Sequence, residues 1–164
     1  MKTAIRSLIF LLVVLWLGGV MFFPVVAASA FGSIPDTHAA GTIVAKCLRV
    51  LHYEGLFAGS AIVLLLLASQ MLRALPRPVA APVVITLLML GLTAFSQFWI
   101  IPKMEGYRIA EGGAIHLEDH DNPNTIAFNK LHRISEKVEE GVLVGGIILV
   151  VLLSLEPKAS STRD

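Results

Sequence analysis

The sequence predicts an all-α integral membrane protein, a four-helix bundle, on three observations. Of its 164 residues, 55% are hydrophobic and 15% charged, and the mean hydropathy is +0.77. That leaves too little polar surface for a soluble globule of this size. The apolar residues gather into four long runs, on the scale of the ~20 residues that cross a hydrocarbon core of ~30 Å. The polar residues collect between the runs, with Pro and Gly as punctuation. One domain, residues 1–155, holds all four spans, and the polar tail, 156–164, reads as disordered.

The first span covers about 8–30, behind Lys2 and Arg6. Ala28-Ser29-Ala30 resembles a signal-peptide cleavage site. However, the apolar run before it is about 20 residues, where a signal core has ~7–15. Gly18-Gly19 and Pro24 suit a packed or kinked span, so the helix is expected to be retained. Pro35-Asp36 then marks a turn. An interfacial helix follows over about 39–53, with Ile43, Val44, Cys47, Leu48 and Leu51 on one side and Lys46, Arg49 and His52 beside them. Cys47, the only cysteine, admits no intramolecular disulfide and reads as a small packed residue.

Glu54 opens the second span, 54–72, and the turn Arg73-Ala74-Leu75-Pro76-Arg77-Pro78 closes it. The third span, 80–101, carries Thr86 and, towards its far end, Thr93, Ser96 and Gln97 before Pro102. An outer loop, 103–127, contains Gly112-Gly113 and Asn122-Pro123-Asn124. The fourth span, 135–155, holds a tension. Its uncharged part, Gly141 to Leu155, is only ~22 Å long at 1.5 Å per residue, so Glu139 and Glu140 must lie at or just inside one membrane boundary. Acids there need a partner, a cavity or headgroups.

A weak repeat relates Glu54-Gly55-x3-Gly59 to Glu140-Gly141-x3-Gly145, and Phe22-Phe23-Pro24 to Ile100-Ile101-Pro102. The bundle then reads as two tandem helical hairpins about an axis along the membrane normal. Gly55/Gly59 and Gly141/Gly145 are candidate helix-packing positions, expected to bring the second and fourth spans together. Lys2, Arg6, Arg73 and Arg77, with no acid among them, place both termini and the middle turn in the cytoplasm of a multi-pass cell-membrane protein.

Four segments also carry a resemblance. They are Leu15-Trp16-Leu17-Gly18-Gly19 with Phe22-Phe23; His38 to Val44 running into Leu48 and His52-Tyr53; Phe98 to Glu105; and Phe128-Asn129-Lys130-Leu131-His132 with Ser135. Together, over about residues 8 to 155, they resemble the transmembrane protein 205-like family of small four-helix membrane proteins, a domain of unknown function. The resemblance implies the fold and no established activity or catalytic residues. The charges of Glu136 to Glu140 and the histidines of the outer loop depart from the family pattern.

Several residues could bear chemistry. His132, Ser135 and Glu139 share a helical face with Phe128 and could line an outward polar vestibule with His52 and Glu54. The bland alternative is a charged helix start at the headgroups, with Arg133, Lys137 and Glu140 paired along a neighbouring face. His116 and His120, with carboxylates between and beside them, could hold a divalent metal, or belong to a solvated acidic loop. His52 and His132 could ligate haem, but counted from the matched glycines they are offset by ~9 Å of helical rise. No Ser-His-Asp order, phosphate loop or HExxH occurs, so no enzyme, catalytic residue or cofactor is expected. A net charge of +1 gives no field for nucleic acid.

The sequence therefore reads as a small membrane accessory or interaction protein. Its partners would be the lipid bilayer and an unidentified membrane protein or a second copy. The rivals are a carrier or channel for a small solute or metal ion, and a haem-binding oxidoreductase subunit.

Overall fold

The computed structural model describes residues 2–72, 78–113, 115 and 121–155. The basic turn 73–77, His116, His120 and the tail 156–164 lie outside them, and with them the expectations for a metal loop and a disordered tail. Among the described residues there is no strand, and the helices are α1 (Lys2–Ser33), α2 (Thr37–Met71), α3 (Ala80–Phe95), α4 (Ile101–Ala110) and α5 (Pro123–Ser154). A π-turn, Ser96–Ile100, joins α3 to α4 without a break. The protein is an all-helical membrane bundle. Thr3–Ser33, Thr37–Met71 and Ala80–Ala110 are each long and apolar enough to cross a bilayer. In α5 the acids Glu139 and Glu140 stand ahead of the bare run.

Two expected boundaries change. The interfacial helix 39–53 and the span 54–72 are one 35-residue helix. Asp36 caps it by accepting from the backbone N–H of His38 and Ala39, and neither proline nor a positive-φ glycine interrupts it. The expected outer loop, 103–127, is helical at both ends. Pro102 falls at the start of α4 instead of ending the third helix. Just ahead of it the Ile101 N–H donates to the Ser96 carbonyl, an i−5 bond. The extra residue of the π-turn opens the ladder where a proline needs room, so the helix runs on. Gly112 and Gly113, both at positive φ, then turn the chain. Asn122 caps α5, and the side-chain amides of Asn122 and Asn124 donate to the Glu111 carboxylate.

The helices stand at the corners of a square, with α2 between α1 and α3, α5 between α3 and α1, and α2 diagonal to α5. Ile9, Val13, Trp16 and Val20 recur at i, i+4, i+7 and i+11 on α1. They meet Leu51, Ala58, Ile62 and Leu66 of α2, Met89 of α3, and Val142 and Leu149 of α5. The opposite faces stay apolar, with Leu11, Val14 and Phe22 of α1 and Phe57 and Leu64 of α2 exposed, as helices facing lipid require. A smaller cluster of Ile100, Leu131 and Val138 packs α5 against the π-turn.

The glycine pairs do not join α2 to α5. A Cβ on Gly55 would lie 2.3 Å from Trp16 Nε1, and one on Gly59 would lie 2.6 Å from Trp16 Cζ3 and 2.8 Å from Leu90. Gly141 and Gly145 face Leu92 and Met89 of α3. Each pair receives bulky side chains from the preceding helix of its own hairpin, Trp16 on α2 and Met89 with Leu92 on α5. The correction follows from the square: diagonal helices are too far apart for glycine contact, and small residues serve adjacent helices.

Beyond the apolar part of the third helix, Arg108 donates to both oxygens of Glu105 and to Thr42 Oγ1 of α2. Replacing Glu105 by glutamine removes the charge-assisted partner of Arg108 and should loosen the α2–α4 clamp, read as faster amide exchange near Thr42.

Candidate functional site

The diagonal of the bundle is bridged by polar side chains. His52, on α2, is 2% exposed. Its Nε2 lies 2.6 Å from Glu139 Oε1 on α5, and its Nδ1 lies 3.1 Å from Gln97 Oε1 in the π-turn. Each position follows from its helix. His52 continues the buried face of Gly55, Gly59, Ile62 and Leu66 by one turn. Gln97, with Thr93 a turn earlier, is buried on α3 and its π-turn. Glu139 follows buried Ser135 by one turn of α5 and is 18% exposed.

Along their own helices, His52 stands ~28 Å from the Met71 end of α2 and Glu139 ~22 Å from the Ser154 end of α5. Both fit near one boundary of a ~30 Å hydrocarbon layer.

Nε2 of the imidazole faces the Glu139 carboxyl group and Nδ1 faces the Gln97 amide, so both ring nitrogens are engaged. A contact of 2.6 Å holds one proton between nitrogen and oxygen. Burying such a pair costs several kcal/mol of desolvation per ion, offset only by good geometry and further hydrogen bonds. Gln97 supplies one of these bonds. Ser96 Oγ, fully buried in the same π-turn, has no hydrogen-bond partner among the described residues.

Of the vestibule candidates, the structure brings His52 and Glu139 into contact and buries Ser135 one turn from Glu139. His132 is on the outside, 56% exposed, stacked on Phe128 and 3.4 Å from Glu136. Glu140 pairs outward with Lys137. Glu54 faces a different neighbour, Gly19 of α1, because two residues along a helix turn a side chain ~200°. His52 and His132 do not face each other. Among the described residues no three His, Cys, Asp or Glu side chains form a metal-binding group. Gln97 is the partner the sequence reading left out. Its signal was present, a polar side chain one turn after Thr93 at the end of an apolar span.

The fold and this centre define a small polytopic membrane protein with a His–Glu contact across the diagonal of its bundle. Residues 11–111 match a family described as Domain of unknown function (DUF4149), and the chain belongs to that family. The matched segment includes His52, Glu54 and Gln97 and stops before Glu139. It agrees with a domain of unknown function and does not itself establish the transmembrane protein 205-like resemblance. No curated protein matches the chain, and no solved structure does.

Proposed function

We propose that the protein is a carrier for a small solute or metal ion, working at the His52–Gln97–Glu139 centre. The contact of His52 with Glu139 across the bundle diagonal carries this reading. Ionisable groups within a membrane bundle are expensive and mark ion paths and proton relays. This one joins diagonal helices that otherwise scarcely touch. A cation displacing the shared proton would meet an imidazole nitrogen, a carboxylate and an amide oxygen, donors that suit divalent transition metals. Opening the bundle at this end would expose that set to one side of the membrane. The charges at Lys2, Arg6, Arg73 and Arg77 support cytoplasmic termini in the cell membrane, and in that orientation the centre lies near the outer face.

Proteoliposomes with a trapped metal indicator and a pH dye should take up Mn²⁺ or Zn²⁺ with release of protons. Glu139→Gln should abolish uptake and Glu140→Gln should leave it unchanged. Uptake of both ions no faster than in protein-free vesicles would refute the carrier reading.

A second reading, the accessory or interaction protein, is favoured by one feature. A lipid-facing groove between α3 and α5 is lined by Ile85, Leu88, Gly91, Gly141, Gly145 and Ile148, and glycines there would let another membrane helix approach closely. The occupant would be a membrane protein partner or a second copy of this chain. A transmembrane protein 205-like relationship is compatible with either reading.

A further inference from the structure

The groove between α3 and α5 is apolar within the span, where Leu88 and Gly91 line it together with Gly141, Val144 and Ile148. From Gly141 to Ile148 it runs ~10 Å along α5. A Cβ at Gly91 would meet nothing within 4 Å, so the α3 wall is open on its lipid side. The Gly141 end meets the membrane boundary set by Glu139 and Glu140, and there both walls change character.

On the α3 side, Leu88, Gly91, Phe95, Trp99 and Lys103 recur at spacings of three and four. Phe95 and Trp99 stack with ring centroids 5.0 Å apart, and Lys103 Nζ lies 4.0 Å from the centroid of the Trp99 ring. Lys103 follows Trp99 by about one turn, so this contact turns its ammonium group back towards the span. On the α5 side, Lys137, Arg133 and Lys130 precede Gly141 at spacings of four, four and three and share its helical face. Lys137 and Arg133 stand ~6 and ~12 Å beyond Gly141 along the axis, within reach of the headgroup layer.

The acids at this level are engaged. Glu140 accepts from Lys137, and Glu136 lies 3.4 Å from His132. Lys103, Lys130 and Arg133 form no ion pair among the described residues. Glycines alone would admit another helix. Cations beside an exposed tryptophan at headgroup depth select an anion carried by a lipid.

We propose that the α3–α5 groove binds an anionic phospholipid, with one acyl chain along Leu88, Gly91, Val144 and Ile148 and the phosphate held by Lys103 and Arg133, Lys130 beside them. The occupant is a lipid in place of the second helix considered above, and the site is independent of the His52–Glu139 centre. Arg133 offers a planar fork to two phosphate oxygens, and Lys103 adds a point charge from the other wall.

Native mass spectrometry of the full-length protein released from detergent micelles tests this, with palmitoyl-oleoyl phosphatidylglycerol and phosphatidylcholine as the probes. The first phosphatidylglycerol should bind about tenfold more tightly than phosphatidylcholine, the scale set by a few basic side chains at a membrane surface. Lys103→Glu/Arg133→Glu should remove that preference. Gly91→Leu, whose side chain enters the open groove, should lose the retained molecule of either lipid without lowering the thermal midpoint in lipid-free detergent. Glu139→Gln should bind lipid as the native chain does, so the result stands whether or not the carrier reading does. Equal binding of the two lipids, a preference that survives the double charge reversal, or inorganic phosphate bound as tightly as the lipid would overturn the proposal. A dimer that outlasts delipidation and is broken by Gly91→Leu would give the groove to a second copy and overturn it as well.

Discussion

Replacing Gly55 by alanine should lower the midpoint of thermal unfolding in detergent by roughly 4–8 °C, corresponding to about 2 kcal/mol. In water-exposed helices the same change is favourable by ~0.5–1 kcal/mol, because glycine loses the most backbone freedom on folding. Here the added methyl would lie 2.3 Å from Trp16 Nε1 and 2.8 Å from Trp16 Cε2. The indole is 2% exposed and lies along the shelf formed by Gly55 and Gly59, so it can yield only by shifting α1 against α2. Two controls separate this contact from a general intolerance of substitution. Gly106 of α4 has nothing within 4 Å of an added Cβ, and Gly106→Ala should be neutral or gain up to ~1 kcal/mol. Trp16→Phe combined with Gly55→Ala should lose about 1 kcal/mol less than the sum of the single changes, since the two groups touch. Strict additivity would mean that Trp16 does not rest on the glycine shelf.

The legible parts of the fold were those governed by single-chain patterns. Four apolar runs show in the sequence because lipid demands them segment by segment, and Glu139 turns inward while Glu140 meets Lys137 because a helix separates neighbours by ~100°. The length of α2 was missed. The periodicity of Ala39 to Tyr53 was seen, but polarity at Lys46, Arg49 and His52 was read as a boundary when only a proline or a turn would have made one. Pro102 misled in the opposite sense: its steric demand is met by the π-turn, a rearrangement with no local signature. Which residue receives a glycine's notch is a tertiary fact, so the weak repeat aligned Gly55 with Gly141 without showing that Trp16 and Leu92 meet them. The same limit hid Gln97, whose burial was legible and whose partner was not. It also grouped Glu54 with His52, although they leave α2 in nearly opposite directions.

Breaking the His52–Glu139 contact from one side should be the most damaging single change in the polar centre. Glu139→Leu leaves His52, 2% exposed, with Gln97 as its one partner, and His52→Leu leaves a carboxylate facing hydrocarbon. Truncating one member of a buried pair costs about 3–5 kcal/mol. Because Glu139 retains 18% exposure, water can reach part of the orphaned group, and the lower end, about 3 kcal/mol, is expected. Glu140→Leu removes only an exposed bond to Lys137 and should cost well under 1 kcal/mol. The double variant His52→Leu/Glu139→Leu distinguishes a structural strut from a working site. With both ionisable groups gone the desolvation cost is removed, and the Gln97 amide, 5% exposed, is left without its His52 partner. Stability should then recover most of what the worse single variant loses, while proton-linked cation uptake stays abolished. A double variant as unstable as the worse single one would show that the pair holds the diagonal helices together, leaving no stability penalty for function to explain. Recovery of stability without recovery of activity is the outcome expected of a charged pair that the bundle carries for its chemistry.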